Sequence, residues 1–223
     1  MIKGIIFDFD GLICDTETPE LKAWYELFAD YNREFPLDAY LATIGAIYND
    51  NTPVLMLKQM VKDPIDAEEV MGDFLVIKKE LMDQEPLRPG VLDYLIGAKK
   101  SNLRIGLASS APSEWVLHHI KRLGIIDFFD CIRTADHINN PKPDPEVYIR
   151  ALDCMNVLPH EVIALEDSPN GVGAAVKAGV NVVAVPNSVT KVFNFDGADL
   201  IIDELTDISL NDLITIFSEN KIH

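Results

Sequence analysis

Apolar and polar positions along the chain follow two rhythms. Ile5, Ile6 and Phe7 form a short unbroken apolar run, the pattern of a strand buried on both faces of a parallel sheet. The next stretch is helical. Leu21, Trp24, Tyr25, Leu27, Phe28 and Tyr31 recur at three- and four-residue spacings, which predicts an amphipathic helix whose aromatic stripe faces a core. Further helices are predicted over 39–43, 54–61 and 67–82, with no convincing strand among them. Pro86-Leu87-Arg88-Pro89-Gly90 then punctuates the chain like a hinge or linker.

Beyond that point strands and helices alternate. Strands are predicted over 103–108, 128–132, 162–165, 180–185 and 200–202. Between them lie helices over 91–100, 112–123, 145–155, 169–177 and 210–217; Gly124 stops the second of these, and Pro145 and Pro169 open the third and fourth. Ser168 reads as the N-cap of the fourth. Such alternation implies a parallel sheet covered on both faces. The all-helical block interrupts it after the first strand, so the chain divides into an α/β core of residues 1–16 and 87–223 and a helical lid of residues 17–86. There is no internal repeat and no low-complexity tract.

Composition narrows the function classes. A formal net charge of −17 argues against nucleic acid, whose binding depends on Lys and Arg neutralising phosphates, and against anionic lipid. An acidic enzyme can still take an anionic substrate if a metal ion or a few placed cations reverse the field locally. The first apolar run is broken by Asp8 and Asp10, so it is neither a signal peptide nor a membrane span, and no later segment is long and apolar enough to cross a bilayer. Cys14, Cys131 and Cys154 are odd in number and lack metal-ligand spacing, which predicts free thiols in a reducing compartment and a cytoplasmic protein. Cys14 reads as a small buried residue. A monomer is the default.

Each chemically suggestive residue falls just after a predicted strand or in the loop beyond it. Asp8 and Asp10 follow the first, with Gly11 permitting a sharp turn; Ser109 and Ser110 follow the second; Lys142 lies beyond the third; Glu166 and Asp167 follow the fourth. The period-two rule places Asp8 and Asp10 on one side of an extended segment. Singly, each has a plain explanation: a solvated strand end, a lead into a helix, a surface cation. A parallel sheet, however, gathers the carboxyl ends of its strands at one edge, where groups distant in sequence meet. His118 and His119 read as residues of a surface helix with no role.

Phe7-Asp8-Phe9-Asp10-Gly11, Ala108-Ser109-Ser110, Pro141-Lys142-Pro143-Asp144-Pro145 and Leu165-Glu166-Asp167-Ser168 resemble the four motifs of the haloacid dehalogenase superfamily. The likeness spans essentially the whole chain, and the stretch from Asp8 to Glu17 is similar to the opening of the β-phosphoglucomutase-like phosphatases with a small helical cap. The resemblance implies a Rossmann-like core, an inserted cap and an aspartyl-phosphate mechanism. Asp8 would be the nucleophile, and Asp10 the general acid and then base. Ser109 and Lys142 would hold the phosphoryl group, with Ser110 and Glu17 added to the substrate-binding set. Mg²⁺ would be held by Asp8, Asp167 and the backbone carbonyl of Asp10, with Glu166 touching it or orienting its water. The implied partner is a small phosphorylated metabolite.

At the cap the sequence departs from the sugar-phosphate mutases. They carry a histidine where this chain has Glu20, and an arginine after a cap glycine where Gly45 is followed by Ala46, Ile47 and Tyr48. A phosphatase is therefore expected ahead of a mutase. Lys58, Lys62, Lys78 and Lys79 remain in the cap as solvated cations. A phosphorylatable signalling module or an idle binding scaffold agrees less well with the paired acids and the complete motif set.

Overall fold

The computed structural model describes residues 1–41 and 52–219, so residues 42 and 43 of the predicted second helix and the segment Gly45 to Tyr48 lie outside the described residues. The chain forms two compact units, Met1–Asp15 with Pro86–His223, and Thr16–Glu85.

The first unit is built on a six-stranded parallel sheet. Its strands are β1 (Gly4–Phe7), β2 (Arg104–Ala108), β3 (Cys131–Arg133), β4 (Val162–Glu166), β5 (Asn181–Ala184) and β6 (Leu200–Ile201), ordered β3-β2-β1-β4-β5-β6. The chain leaves β1 on one side, returns past it to β4 and continues on the other, so the order reverses beside β1. That is the position where open α/β sheets bind ligands, outside the carboxyl ends of the strands. Register brings those ends level: Phe7 pairs with both Leu107 and Leu165, and Glu166 with Ala184. β1 and β4 are buried along their whole length, as unbroken apolar runs require.

Helices α5 (Val91–Lys100), α6 (Ser113–Arg122), α7 (Glu146–Met155), α8 (Pro169–Lys177) and α9 (Leu210–Glu219) belong to this unit. Ser168 caps α8 by accepting from the Gly171 N–H at 3.1 Å, with Pro169 at the first position. Val147, Ala151 and Met155 of α7 and Val172 and Ala175 of α8 join Ile6, Val162, Ala164 and Val182 of the sheet in one apolar core.

Two sequence expectations need correction in this unit. The third strand begins three residues later than predicted, because Ile126–Phe128 forms a 3₁₀ turn and Phe129 then packs edge-on against Phe7 at 6.4 Å. Cys131 and Cys154 are not free thiols but a disulfide, with their Cα atoms 6.1 Å apart. The pairing was invisible in the sequence because it depends on α7 crossing β3, which brings together residues 23 apart. With these two joined, the cysteines no longer point to a reducing compartment. Cys14 is buried outside any disulfide, and its thiol donates to the Pro86 carbonyl at 3.5 Å. Among the described residues no helix is long and apolar enough to cross a membrane.

The second unit holds α1 (Glu17–Asp30), α2 (Leu37–Leu41), α3 (Thr52–Met60) and α4 (Ala67–Met82) and, among its described residues, no strand. The aromatic stripe does form its core: Trp24 stacks on Phe74 at 3.8 Å, and Leu27, Phe28, Phe35 and Leu57 are buried around them. Tyr25 departs from the stripe and is exposed. Asp66 caps α4 by accepting from the Glu68 N–H.

Candidate active site

The strand ladder carries Asp8 into place. Its N–H donates to the Leu165 carbonyl at 3.0 Å, one residue beyond the end of β1, so Asp8 stands against β4 where Glu166 and Asp167 follow. Asp8 and Asp10 therefore lie just past the end of β1, with Asp10 bridged to Cys14 across the turn that Gly11 enters. On the other side of β1, Ser109 follows β2, its N–H bonded to the Arg133 carbonyl.

Lys142 joins the two sides. Its Nζ donates to Asp8 Oδ1 at 2.5 Å, to Glu166 Oε1 at 2.6 Å and to the Ala108 carbonyl at 2.9 Å. The lysine side chain is 7% exposed and that of Glu166 fully buried, so these ion pairs are shielded from solvent. Burial would strip the proton from Lys142, but the carboxylates of Asp8 and Glu166 outweigh it and hold the ammonium above its ordinary pKa. Asp8 is pushed up, first by burial; Lys142 opposes this, while Glu166 and Asp10 add to it. Ser110 Oγ accepts from the Lys142 N–H at 3.2 Å and so braces the lysine loop.

Both oxygens of Asp10 are engaged. Ser109 Oγ lies 3.3 Å from Oδ2 and the indole N–H of Trp115 donates to Oδ1 at 2.9 Å. Asp167 is buried, and its Oδ2 accepts from the Asn187 amide at 2.8 Å. Gly11 adopts a left-handed conformation, φ +77°, and a Cβ there would come within 2.0 Å of Asp167 Oδ2. Only glycine satisfies both the turn and the close approach. Gly171 leaves similar room for the Glu166 carboxylate.

The six predicted core residues Asp8, Asp10, Ser109, Lys142, Glu166 and Asp167 thus meet at one sheet edge. Glu17 belongs to the other unit, as the first residue of α1. Four further residues escaped the sequence reading. Arg88, within the apparent linker, donates to the carbonyls of Gly11, Val185 and Pro186 and so ties the β1 turn to the β5 loop. Tyr148 donates to Glu166 Oε1 from α7, and the buried hydroxyl is held neutral, first by burial and then by the charge of Glu166. Trp115 and Asn187 complete the set. Asn187 alone carried a signal, as a polar residue just beyond a predicted strand. His119 corrects the expectation of a surface helix: it is buried and its ring stacks on Phe9.

Asp8, Glu166 and Asp167 each offer a carboxylate oxygen, and these atoms lie within 4.8 Å of one another. The Lys142 ammonium pairs with Asp8 and Glu166, and the charge of Asp10 also bears on Asp8. An all-oxygen set with surplus negative charge suits a small hard divalent cation.

This arrangement on a β3-β2-β1-β4-β5-β6 sheet has close parallels. The sequence profile of the haloacid dehalogenase-like hydrolases matches residues 5–185, which include Asp8, Asp10, Ser109, Lys142, Glu166 and Asp167. The chain belongs to that family. Among its relatives, the protein named phosphatase YhcW of Bacillus subtilis (strain 168) is 39% identical over 210 residues, covering 94% of this chain and 95% of YhcW. The phosphorylated carbohydrates phosphatase of Thermotoga maritima is 31% identical over 181 residues, covering 80% and 82%. A crystal structure of CbbY from Rhodobacter sphaeroides in complex with phosphate has a TM-score of 0.73 at 27% identity, covering 96% of this chain and 99% of that one.

Proposed function

We propose that the protein is a phosphatase of small phosphorylated carbohydrates that works through an aspartyl-phosphate at Asp8. One observation carries this reading: Lys142 pairs with Asp8 and Glu166 at the edge where Asp10 and Ser109 also stand. A buried carboxylate beside a fixed cation is a poised nucleophile. Asp8 attacks phosphorus, the ester P–O bond breaks, and Asp10 gives its proton to the leaving alcohol. Asp10 then takes a proton from the water that attacks the intermediate, releasing phosphate and restoring Asp8. Ser109 and Lys142 hold the non-reacting phosphoryl oxygens through these steps. Asp8, Asp167 and the Asp10 carbonyl would hold Mg²⁺, with Glu166 beside them, and the ion would offset the negative charge of the phosphoryl group.

We assign the helical unit the choice among esters. Its Glu20, where the mutases resembled by this chain carry a histidine, pairs with Lys78 at 2.6 Å and accepts from the Tyr40 hydroxyl at 3.1 Å. The acid offsets a cation of the kind a second phosphate would need, which favours a hydrolase over a mutase. The test is to incubate purified protein and Mg²⁺ with a panel of hexose, pentose and polyol phosphates. Released inorganic phosphate supports the hydrolase; an isomerised ester without release supports the mutase, and turnover of none of them removes the proposal.

A further inference from the structure

We propose that Trp115 is a positioning residue for Asp10, its indole N–H fixing which carboxylate oxygen hands the proton to the leaving group. The inference rests on the phosphatase reading and assigns a part to a residue outside the four motifs. The Trp115 N–H donates to Asp10 Oδ1 at 2.9 Å, while Ser109 Oγ faces Oδ2 at 3.3 Å. An indole N–H can donate but never accept, so Oδ1 is committed as an acceptor and a proton on Asp10 must sit on Oδ2. The hydroxyl of Ser109 can do either, and it already accepts from the Ala111 N–H at 3.0 Å. With a proton on Oδ2, the Ser109 hydrogen has to point elsewhere, which suits a donor to a phosphoryl oxygen.

The indole is itself held. Trp115 lies in the first turn of α6, whose start is anchored by the Ser113 N–H on Asp136 Oδ2 at 2.6 Å and by the Ser113 and Thr134 hydroxyls, also 2.6 Å apart. One helical turn on, the His119 ring packs edge-on to the indole at 4.3 Å and stacks on Phe9, the residue between Asp8 and Asp10. Trp115 and His119 thus grip the turn at two successive residues, so the direction of the Asp10 carboxylate is set by α6 as well as by its own backbone.

A general acid matters most when the leaving group is a poor one. The test compares kcat/KM, which reports the step that expels the leaving group and not the later hydrolysis of the intermediate, for phenyl phosphate, whose basic leaving group needs a proton, and for 2,4-dinitrophenyl phosphate, whose leaving group does not. Wild type, D10N and Trp115→Phe are measured, together with a chain carrying 3-benzothienylalanine at position 115, which keeps the bicyclic shape and replaces N–H by sulfur. General acids contribute about 10²–10⁴-fold, and the phenyl to dinitrophenyl ratio is expected to fall by about tenfold or more in both Trp115 replacements, in the direction of D10N. An equal loss on both esters, or an unchanged ratio in the benzothienyl chain, makes Trp115 a packing residue and overturns the proposal. Failure of the wild type to hydrolyse either ester instead removes the phosphatase reading beneath it.

Discussion

Lys142 Nζ lies 2.5 Å from Asp8 Oδ1 although 134 residues separate the two in the chain. The contact closes because β1 and β4 are neighbours in register and the Lys142 loop reaches back across the end of β2. The lysine therefore serves two ends at once. It compensates buried carboxylates that would otherwise destabilise the fold, and in the proposed mechanism it is also the fixed positive charge beside the phosphoryl group.

Removing that cation exposes its structural share. Lys142→Met leaves Asp8 and Glu166 buried without their ammonium, and breaking a buried pair in this way costs about 3–5 kcal/mol. Urea denaturation should show that loss, with part of it recovered by adding Glu166→Gln in the same chain. A single variant as stable as the wild type would contradict the assigned ion pairs.

Metal dependence is expected from the clustered carboxylates of Asp8, Glu166 and Asp167. Chelation is expected to abolish hydrolysis and added Mg²⁺ to restore it. The ion should also stabilise the fold, by about 2.7 kcal/mol when free Mg²⁺ is 100 times its Kd. Asp167→Asn should lose most of that thermal shift. Equal melting temperatures in chelator and in Mg²⁺, with turnover undiminished, would rule out the cation site.

The disulfide makes a separate stability claim. Cys131 and Cys154 close a loop across a sequence separation of 23, for which loop-closure entropy gives about 3 kcal/mol. Reduction, or Cys154→Ser, should lower the urea midpoint accordingly. A midpoint unmoved by reductant would contradict the pairing.

At alkaline pH the fold should weaken through Tyr94. Its hydroxyl donates to the Ile208 carbonyl at 2.8 Å, and its pKa is pushed from 10.0 up to about 12, first by burial and then by Asp207 and Asp212. A raised folded-state pKa contributes stability that is complete below the unfolded value, so it is lost as pH rises from 10 through about 12. Tyr94→Phe should show a smaller loss over that window. Parallel curves for the two chains would contradict the burial of this phenol.

The helical and strand rhythms made most of the fold legible, because burial on both faces of β1 and β4 leaves unbroken apolar runs and a one-sided helix leaves a stripe. The acids, Ser109 and Lys142 were legible for a related reason: a parallel sheet makes every strand end a candidate position. Arg88, Tyr148 and Trp115 were hidden. Arg88 sits between prolines in what reads as a linker, and its work is on backbone carbonyls, which leave no mark in sequence. Tyr148 and Trp115 lie in helices where aromatic residues ordinarily signify packing. The Cys131–Cys154 bond was hidden because it depends on where α7 crosses the sheet.

The central claim, that Asp8 forms a covalent bond to phosphorus, is tested most directly by acid-quenching the protein during turnover of p-nitrophenyl phosphate and reducing it with borohydride. An acyl phosphate at Asp8 is converted to homoserine, which peptide mass spectrometry locates. Homoserine at position 8 in the wild type, and neither label nor turnover in a folded Asp8→Asn chain, is the predicted result. Label at another carboxylate, or turnover surviving in Asp8→Asn, would contradict it.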